Sequence, residues 1–97
     1  MPEVAPLISI VIPTRHRPDL VVRAVRSALG QTHRALEVIV VVDGPDDLTV
    51  EALGDIKDSR LRIKALPHTH GPAEARNAGV KEARGRWVAF LDDDDEW

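Results

Sequence analysis

The chain has 97 residues, 43% hydrophobic and 30% charged, with a net charge of −3. That length allows one modest domain, and the absence of cysteine excludes disulfides and thiolate chemistry. No apolar run approaches the roughly 18–20 residues that span a bilayer, and scattered bases with only three aromatics exclude a nucleic-acid-binding surface.

The first element is "LISIVI" (7–12), wholly apolar and rich in β-branched residues, followed by Pro13. "PDLVVRAVRSALG" then sets Leu20, Val21, Ala24, Val25, Ala28 and Leu29 at helical spacing, with Pro18 and Asp19 suited to a first turn and Gly30 to the C-terminal cap. "LEVIVVV" (36–42) reads as a strand apolar on both faces, and "DGPDD" supplies turn chemistry before a short helix over about 47–56. In "RLRIKAL" (60–66), Arg60, Arg62 and Lys64 alternate with apolar residues, which predicts one wet face or an edge strand. "GPAEARNAGVKEARG" reads as a helix rich in alanine and glycine, whose Ala75, Ala78 and Gly79 would let it approach a sheet closely. "RWVAFL" (86–91) is a last apolar strand.

The resulting βαβαβαβ order predicts an α/β, Rossmann-like three-layer sandwich around a mainly parallel sheet. Apolar strands 1, 2 and 4 should be central and strand 3 peripheral. Strand order 3-2-1-4 follows, with strands 1 and 4 side by side at the topological switch point, where ligands bind beyond the carboxyl ends.

The chain closes on "DDDDEW". Residues 92–97 hold five acids and no base, leaving 13 bases against 11 acids over residues 1–91, so the negative balance sits in one place. Adjacent carboxylates repel unless something positive relieves them. The run is either a solvated acidic tail or a site for a divalent cation, and its address at a strand end favours the second.

Taken in order, "SIVIPTRHRP", "SALGQT", "LEVIVVVDGPDD", "GPAEARNAGVKEARG" and "WVAFLDDDDEW" resemble the N-terminal, nucleotide-sugar-binding half of a family 2 glycosyltransferase of the GT-A fold, from about Ile8 to Trp97. The resemblance implies that Asp92 and Asp94 are the outer members of a DxD motif holding Mn2+ or Mg2+, with Asp93 between them on the nucleotide side. In an extended segment Asp92 and Asp94 would share a face and Asp93 would point away. Asp95 and Glu96 either support that site or are solvated. Asp43 matches the aspartate that reads the base, typically at a uracil N–H, and Val42 stands where the family commonly has another aspartate. Pro13 and Thr14 match the segment lining the nucleoside pocket. Arg15 and His16 replace the usual aromatic and asparagine, so Arg15 or Arg17 either lies against base or phosphate or is solvated. Arg76 and Asn77 match the family's "RN", and Arg76, with no acid three or four residues away, is expected to contact the diphosphate or the base side. His68 and His70 have metal-like spacing, yet two histidines are short of a closed site.

The implied activity is inverting transfer from a nucleotide-sugar donor, a UDP-sugar in first place, to an acceptor hydroxyl. The implied catalytic base lies downstream of Trp97, so the 97 residues read as the donor-binding half of a longer enzyme, inactive alone. The acceptor and the donor sugar are not legible. A nucleotidyltransferase is the alternative, disfavoured because "PTRHRP" lacks the glycines of a phosphate loop. A non-catalytic nucleotide-binding module is the other. The open edge of strand 4 predicts a homodimer. With no signal-peptide pattern, the expected location is cytoplasmic, or the inner membrane face for a longer protein.

Overall fold

The computed structural model describes residues 7–97. Its elements run β1 (Ile8–Thr14), α1 (Pro18–Leu29), β2 (Leu36–Val42), α2 (Asp47–Gly54), β3 (Leu61–Ala65), α3 (Pro72–Glu82) and β4 (Trp87–Phe90). All three strand pairings are parallel, and the order is β3-β2-β1-β4. Every connection is therefore a helical crossover, and all four strands end on the same edge of the sheet.

The pleat sorts the core into two layers. Ile10, Ile12, Val38, Val40 and Val42 pack with Val21, Ala24, Val25 and Ala28 of α1 and Leu53 of α2. Val11, Ile39 and Val41 project from the opposite face onto Ala75 of α3. Gly79 of α3 lies so close to the sheet that a Cβ there would strike the side chains of Val11 and Val41. The small residues of α3 are thus a packing requirement, as their spacing suggests.

β1 continues through Pro13 to Thr14 instead of stopping at Ile12. Val11 accepts from the Leu91 N–H on the β4 side, and Thr14 accepts from the Asp43 N–H on the β2 side. By alternation Pro13 faces the β4 side, beyond that strand's last residue, so its missing N–H breaks no ladder. Gly30 caps α1 with φ −82, an ordinary right-handed value, and its N–H donates to the Arg26 carbonyl at 3.0 Å.

Two expectations need correction and one is refined. The apolar strand β4 is not central among the described residues: it pairs only with β1, from Trp87 to Phe90, and leaves Trp87 60% and Phe90 48% exposed. β3 does lie at the edge of the sheet, as its alternation predicts, and its arginines are held by partners rather than left in solvent. Arg60 precedes the strand, pairs with Asp58 at 2.9 Å and donates to the Leu29 carbonyl at the end of α1. Arg62 donates to Glu37 at 3.0 Å and to the Glu82 carbonyl at 2.7 Å.

The other correction concerns "LEVIVVV", whose Glu37 is buried on the α3 face near the amino ends of the strands. Its carboxylate accepts from the Ser9 hydroxyl (2.6 Å), the Arg84 N–H (2.7 Å) and Arg62. Ser9 Oγ accepts in turn from the Gly85 N–H at 2.8 Å. This network ties the chain leaving α3 to the sheet. Burial pushes the Glu37 carboxyl up, but hydrogen bonds from Ser9, Arg84 and Arg62, with the Arg62 charge, outweigh it and hold the group below its ordinary value.

Candidate donor-binding site

Segments leaving the carboxyl ends of β1, β2, β3 and β4 surround one cleft of about 520 Å3. Pro13, Thr14, Arg15, Asp43, Arg76, Asp92, Asp93 and Asp94, all singled out in the sequence, line it. A parallel sheet whose crossovers change face between β1 and β4 opens a crevice at that point.

The acidic run is folded against the protein. The Asp92 carbonyl accepts from the Asp95 N–H at 3.0 Å, so residues 92–95 form a turn, not the extended segment expected. Asp93 does point away from its neighbours, but because the turn drives it inward. It is buried, with Oδ2 accepting from the Thr14 hydroxyl at 2.8 Å and Oδ1 from Arg17 Nη1 at 3.1 Å. Beyond the turn, Glu96 pairs with Arg23 at 2.7 Å and the Trp97 N–H donates to Ser27 Oγ at 3.1 Å, both on α1. A detached tail would make none of these contacts.

Asp92, Asp94 and Asp95 face solvent, each offering a carboxylate oxygen, with these atoms all within 4.8 Å of one another. Mg2+ binds oxygen at about 2.0–2.1 Å, so opposite ligands lie roughly 4.2 Å apart. Three hard, anionic oxygens at this spacing fit such an ion and leave its other positions open. Asp95 joins the two ligands expected from the sequence because the turn folds it back beside Asp92. His68 and His70 are not in this cluster; His70 lies beside Glu74, at 3.4 Å.

Cations surround the acids unevenly. Arg76 reaches Asp92 at 3.5 Å from the side of α3, and Arg17 lies 3.8 Å from Asp94 Oδ2. Arg15 lines the cleft without an ion pair among the described residues. Of the two arginines weighed in the β1 loop, Arg17 is committed to the acidic turn and Arg15 is free. Asn77 faces a separate groove with Leu66, His70, Glu74 and Lys81.

Asp43 is buried at the end of β2, where Oδ1 accepts from the His70 N–H at 2.9 Å and Oδ2 from the Gly71 N–H at 3.0 Å. It therefore holds the loop that starts α3. Gly71, at φ 96, adopts a left-handed conformation that suits glycine. Each carboxylate oxygen retains a lone pair for a further donor.

Sequence reasoning missed two contributions. Thr69, Gly71, Pro72 and Ala75 also line the cleft; their position in the loop after a parallel strand's carboxyl end and in the first turn of the helix that follows was the available signal. The other is Asp46, which caps α2 and accepts from the Thr49 N–H (3.3 Å), the Thr49 hydroxyl (2.6 Å) and the His16 N–H (2.6 Å). Burial raises its carboxyl, but the bonds from Thr49 and His16 prevail and lower it. The His16 bond accompanies a left-handed backbone (φ 55) that sets Arg15 and Arg17 on either side of the bend. The spacing of Asp46 and Thr49 was a legible N-cap signal.

Known proteins share both sequence and fold. The chain is 44% identical over 90 residues to "Succinoglycan biosynthesis protein ExoO" of Rhizobium meliloti, covering 93% of this chain and 26% of that protein. It is 41% identical over 91 residues to the Escherichia coli "UDP-Glc:alpha-D-GlcNAc-diphosphoundecaprenol beta-1,3-glucosyltransferase WfaP", covering 94% and 36% respectively. The chain thus spans about a quarter to a third of these relatives' length. Among solved structures, S. aureus TarS in complex with UDP matches with a TM-score of 0.83 and 28% identity, over 92% of this chain and 28% of that one. A Pyrobaculum calidifontis mannosyltransferase, PcManGT, in complex with GDP-Man and Mn2+, also matches with a TM-score of 0.83, at 25% identity over 98% of this chain and 31% of that one. Both neighbours have the GT-A, Rossmann-like architecture seen here. A profile of the family described as "Glycosyl transferase family 2" matches residues 9–97, nearly the whole chain, and the chain belongs to that family.

Proposed function

We propose that these residues form the donor-binding half of an inverting glycosyltransferase that takes a nucleoside-diphosphate sugar, in first place a UDP-sugar, and passes the sugar to an acceptor hydroxyl. The observation that carries this reading is the shared cleft: Asp92 and Asp94, two of the three clustered carboxylates after β4, line the same space as Asp43 after β2 and Arg15 after β1.

In this reading Asp92 and Asp94, with Asp95 beside them, hold Mn2+ or Mg2+. The bound ion would offset charge growing on the departing diphosphate. Arg76, whose contact with Asp92 is long and exposed, has donors left for a phosphate oxygen. Arg15 supplies a second free guanidinium. Asp43 accepts from the base N–H while the loop amides fix its orientation, and Pro13 and Thr14 wall the nucleoside. The complexes of TarS with UDP and of PcManGT with GDP-Man and Mn2+ support the ligand class. In this reading the acceptor site and the base that deprotonates the acceptor lie outside these residues, which span about a quarter to a third of the relatives' length. No helix among the described residues is long and apolar enough to cross a membrane. The proposed location is the cytoplasm or its membrane face.

Calorimetric titration of the chain with UDP and with GDP, each with and without Mn2+, tests the reading. UDP should bind more tightly than GDP and gain affinity from Mn2+. UDP affinity that is indifferent to Mn2+ would overturn the metal assignment, and preference for GDP would overturn the base assignment.

A further inference from the structure

The middle aspartate of the acidic run does different work from its neighbours. Asp93 is buried, and both its oxygens are engaged inside the protein, by the Thr14 hydroxyl at 2.8 Å and Arg17 Nη1 at 3.1 Å. The same Arg17 nitrogen lies 3.8 Å from Asp94 Oδ2, on the solvent side of the turn. One guanidinium nitrogen thus bridges the buried anchor and an exposed carboxylate of the cluster. Asp92 and Asp95 are locked to each other through the backbone, carbonyl to N–H, at 3.0 Å. The turn is therefore fixed internally by that bond and on the β1 side by the Asp93 anchor, with Arg76 reaching Asp92 from α3 and Arg23 holding Glu96 beyond the turn.

We propose that Arg17 is a positioning residue for the metal-binding turn, acting with Thr14 through Asp93 to hold Asp94 in ligating position. The proposal rests on the metal reading above for its purpose, but not for its geometry. Four successive carboxylates repel, and without a fixed countercharge the turn would open and spread its ligands. Arg17 supplies that charge mainly to the buried carboxylate, at 3.1 Å from Asp93 Oδ1 against 3.8 Å from Asp94 Oδ2, which leaves Asp94 open to the ion. Thr14, expected from the sequence to line a nucleoside pocket, contributes its hydroxyl to the same anchor.

Coulomb's law separates positioning from a plain charge effect. Removing a cation near a metal site should tighten Mn2+ binding if charge were all that mattered. Removing a positioning residue should weaken it, by about 10-fold or more, as outer partners of metal ligands do. A direct phosphate contact by Arg17 would instead weaken UDP without touching Mn2+ affinity.

The experiment titrates Mn2+ alone into wild type, Arg17→Met, Thr14→Val and Thr14→Ser, following free Mn2+ by electron paramagnetic resonance. Amide 15N relaxation of residues 92–95 is measured in metal-free samples of the same proteins. Arg17 is half exposed, so the fold should survive its substitution. The expected result is weaker Mn2+ binding and a more mobile turn in Arg17→Met and Thr14→Val, with Thr14→Ser close to wild type. An unchanged turn in metal-free Arg17→Met overturns the proposal whether or not the chain binds Mn2+, as does tighter Mn2+ binding by that variant. If wild type fails to bind Mn2+ while Arg17→Met loosens the turn, the anchor stands and the metal reading falls.

Discussion

The Asp43 carboxylate straddles the start of α3, with one oxygen on the His70 N–H and the other, at 3.0 Å, on the Gly71 N–H. The residue proposed to read the base is therefore also the residue that seats the helix carrying Arg76. Asparagine at this position keeps one acceptor and turns an NH2 group toward a backbone N–H. Asp43→Asn should weaken UDP with and without Mn2+ and also lower thermal stability, since hydrogen bonds to a charged group contribute about 1.5–3 kcal/mol. Calorimetry and a melting curve check this together. Normal UDP affinity in a destabilised variant would reduce Asp43 to a loop anchor.

UDP and Mn2+ should raise each other's affinity by the same factor, because coupling free energy is reciprocal. Asp94→Asn removes a charge while keeping the shape and should abolish most of that coupling; Asp92→Asn should do likewise. Glu96→Gln should change little, because Glu96 pairs with Arg23 on α1 and lies outside the carboxylate cluster. Titrating UDP at several Mn2+ concentrations measures the factor directly. Coupling that survives in Asp94→Asn would mean the ion is held elsewhere.

Acid should destabilise the fold. Glu37 and Asp46 are held below their ordinary values of 4.5 and 3.8 by hydrogen bonds that outweigh burial, and Asp58 is held down by Arg60. A carboxyl depressed in the folded state contributes stability that is complete above its unfolded pKa and lost as pH falls through the folded one. The urea midpoint should therefore hold near neutrality and drop below about pH 4.5. In Glu37→Gln the neutral-pH midpoint should fall and the acid slope flatten. An acid slope equal to that of wild type would exclude Glu37 from the linkage.

Gly79→Ala tests the approach of α3 to the sheet. Alanine favours a helix by up to about 1 kcal/mol over glycine, but its methyl would strike Val11 and Val41. Overpacking of this kind costs about 1–3 kcal/mol. Net destabilisation is expected in urea unfolding; a stabilised variant would show that the helix moves away freely.

The 97-residue chain should self-associate. β4 presents an unpaired edge among the described residues, beside exposed Trp87, Val88 and Phe90, and such an edge invites another strand. Sedimentation velocity at micromolar concentration should show dimers or larger species, and Phe90→Lys should reduce them. A monomer throughout that range would count against pairing through β4.

Local pattern settled much of this protein. The apolar runs at 7–12 and 36–42 and the helical spacing in α1 are nearest-neighbour properties, so element types and order were legible. The parallel sheet followed from their alternation. The same parallelism brought Asp43 and Asp92 to one edge, which made the cleft legible too. What escaped depended on partners far along the chain. Thr14 and Asp93 are 79 residues apart, and Ser9 and Glu37 are 28 apart; no window of sequence shows that the hydroxyl of one meets the carboxylate of the other. Glu37 in an apolar run looks like an interruption until Arg62, Arg84 and Ser9 surround it. β4 looks central by composition, yet strand position is set by which neighbours pair. The acidic run carries its charge in the sequence, but the bend that hides Asp93 and groups Asp92, Asp94 and Asp95 is seated by distant partners in β1, Arg17 and α1.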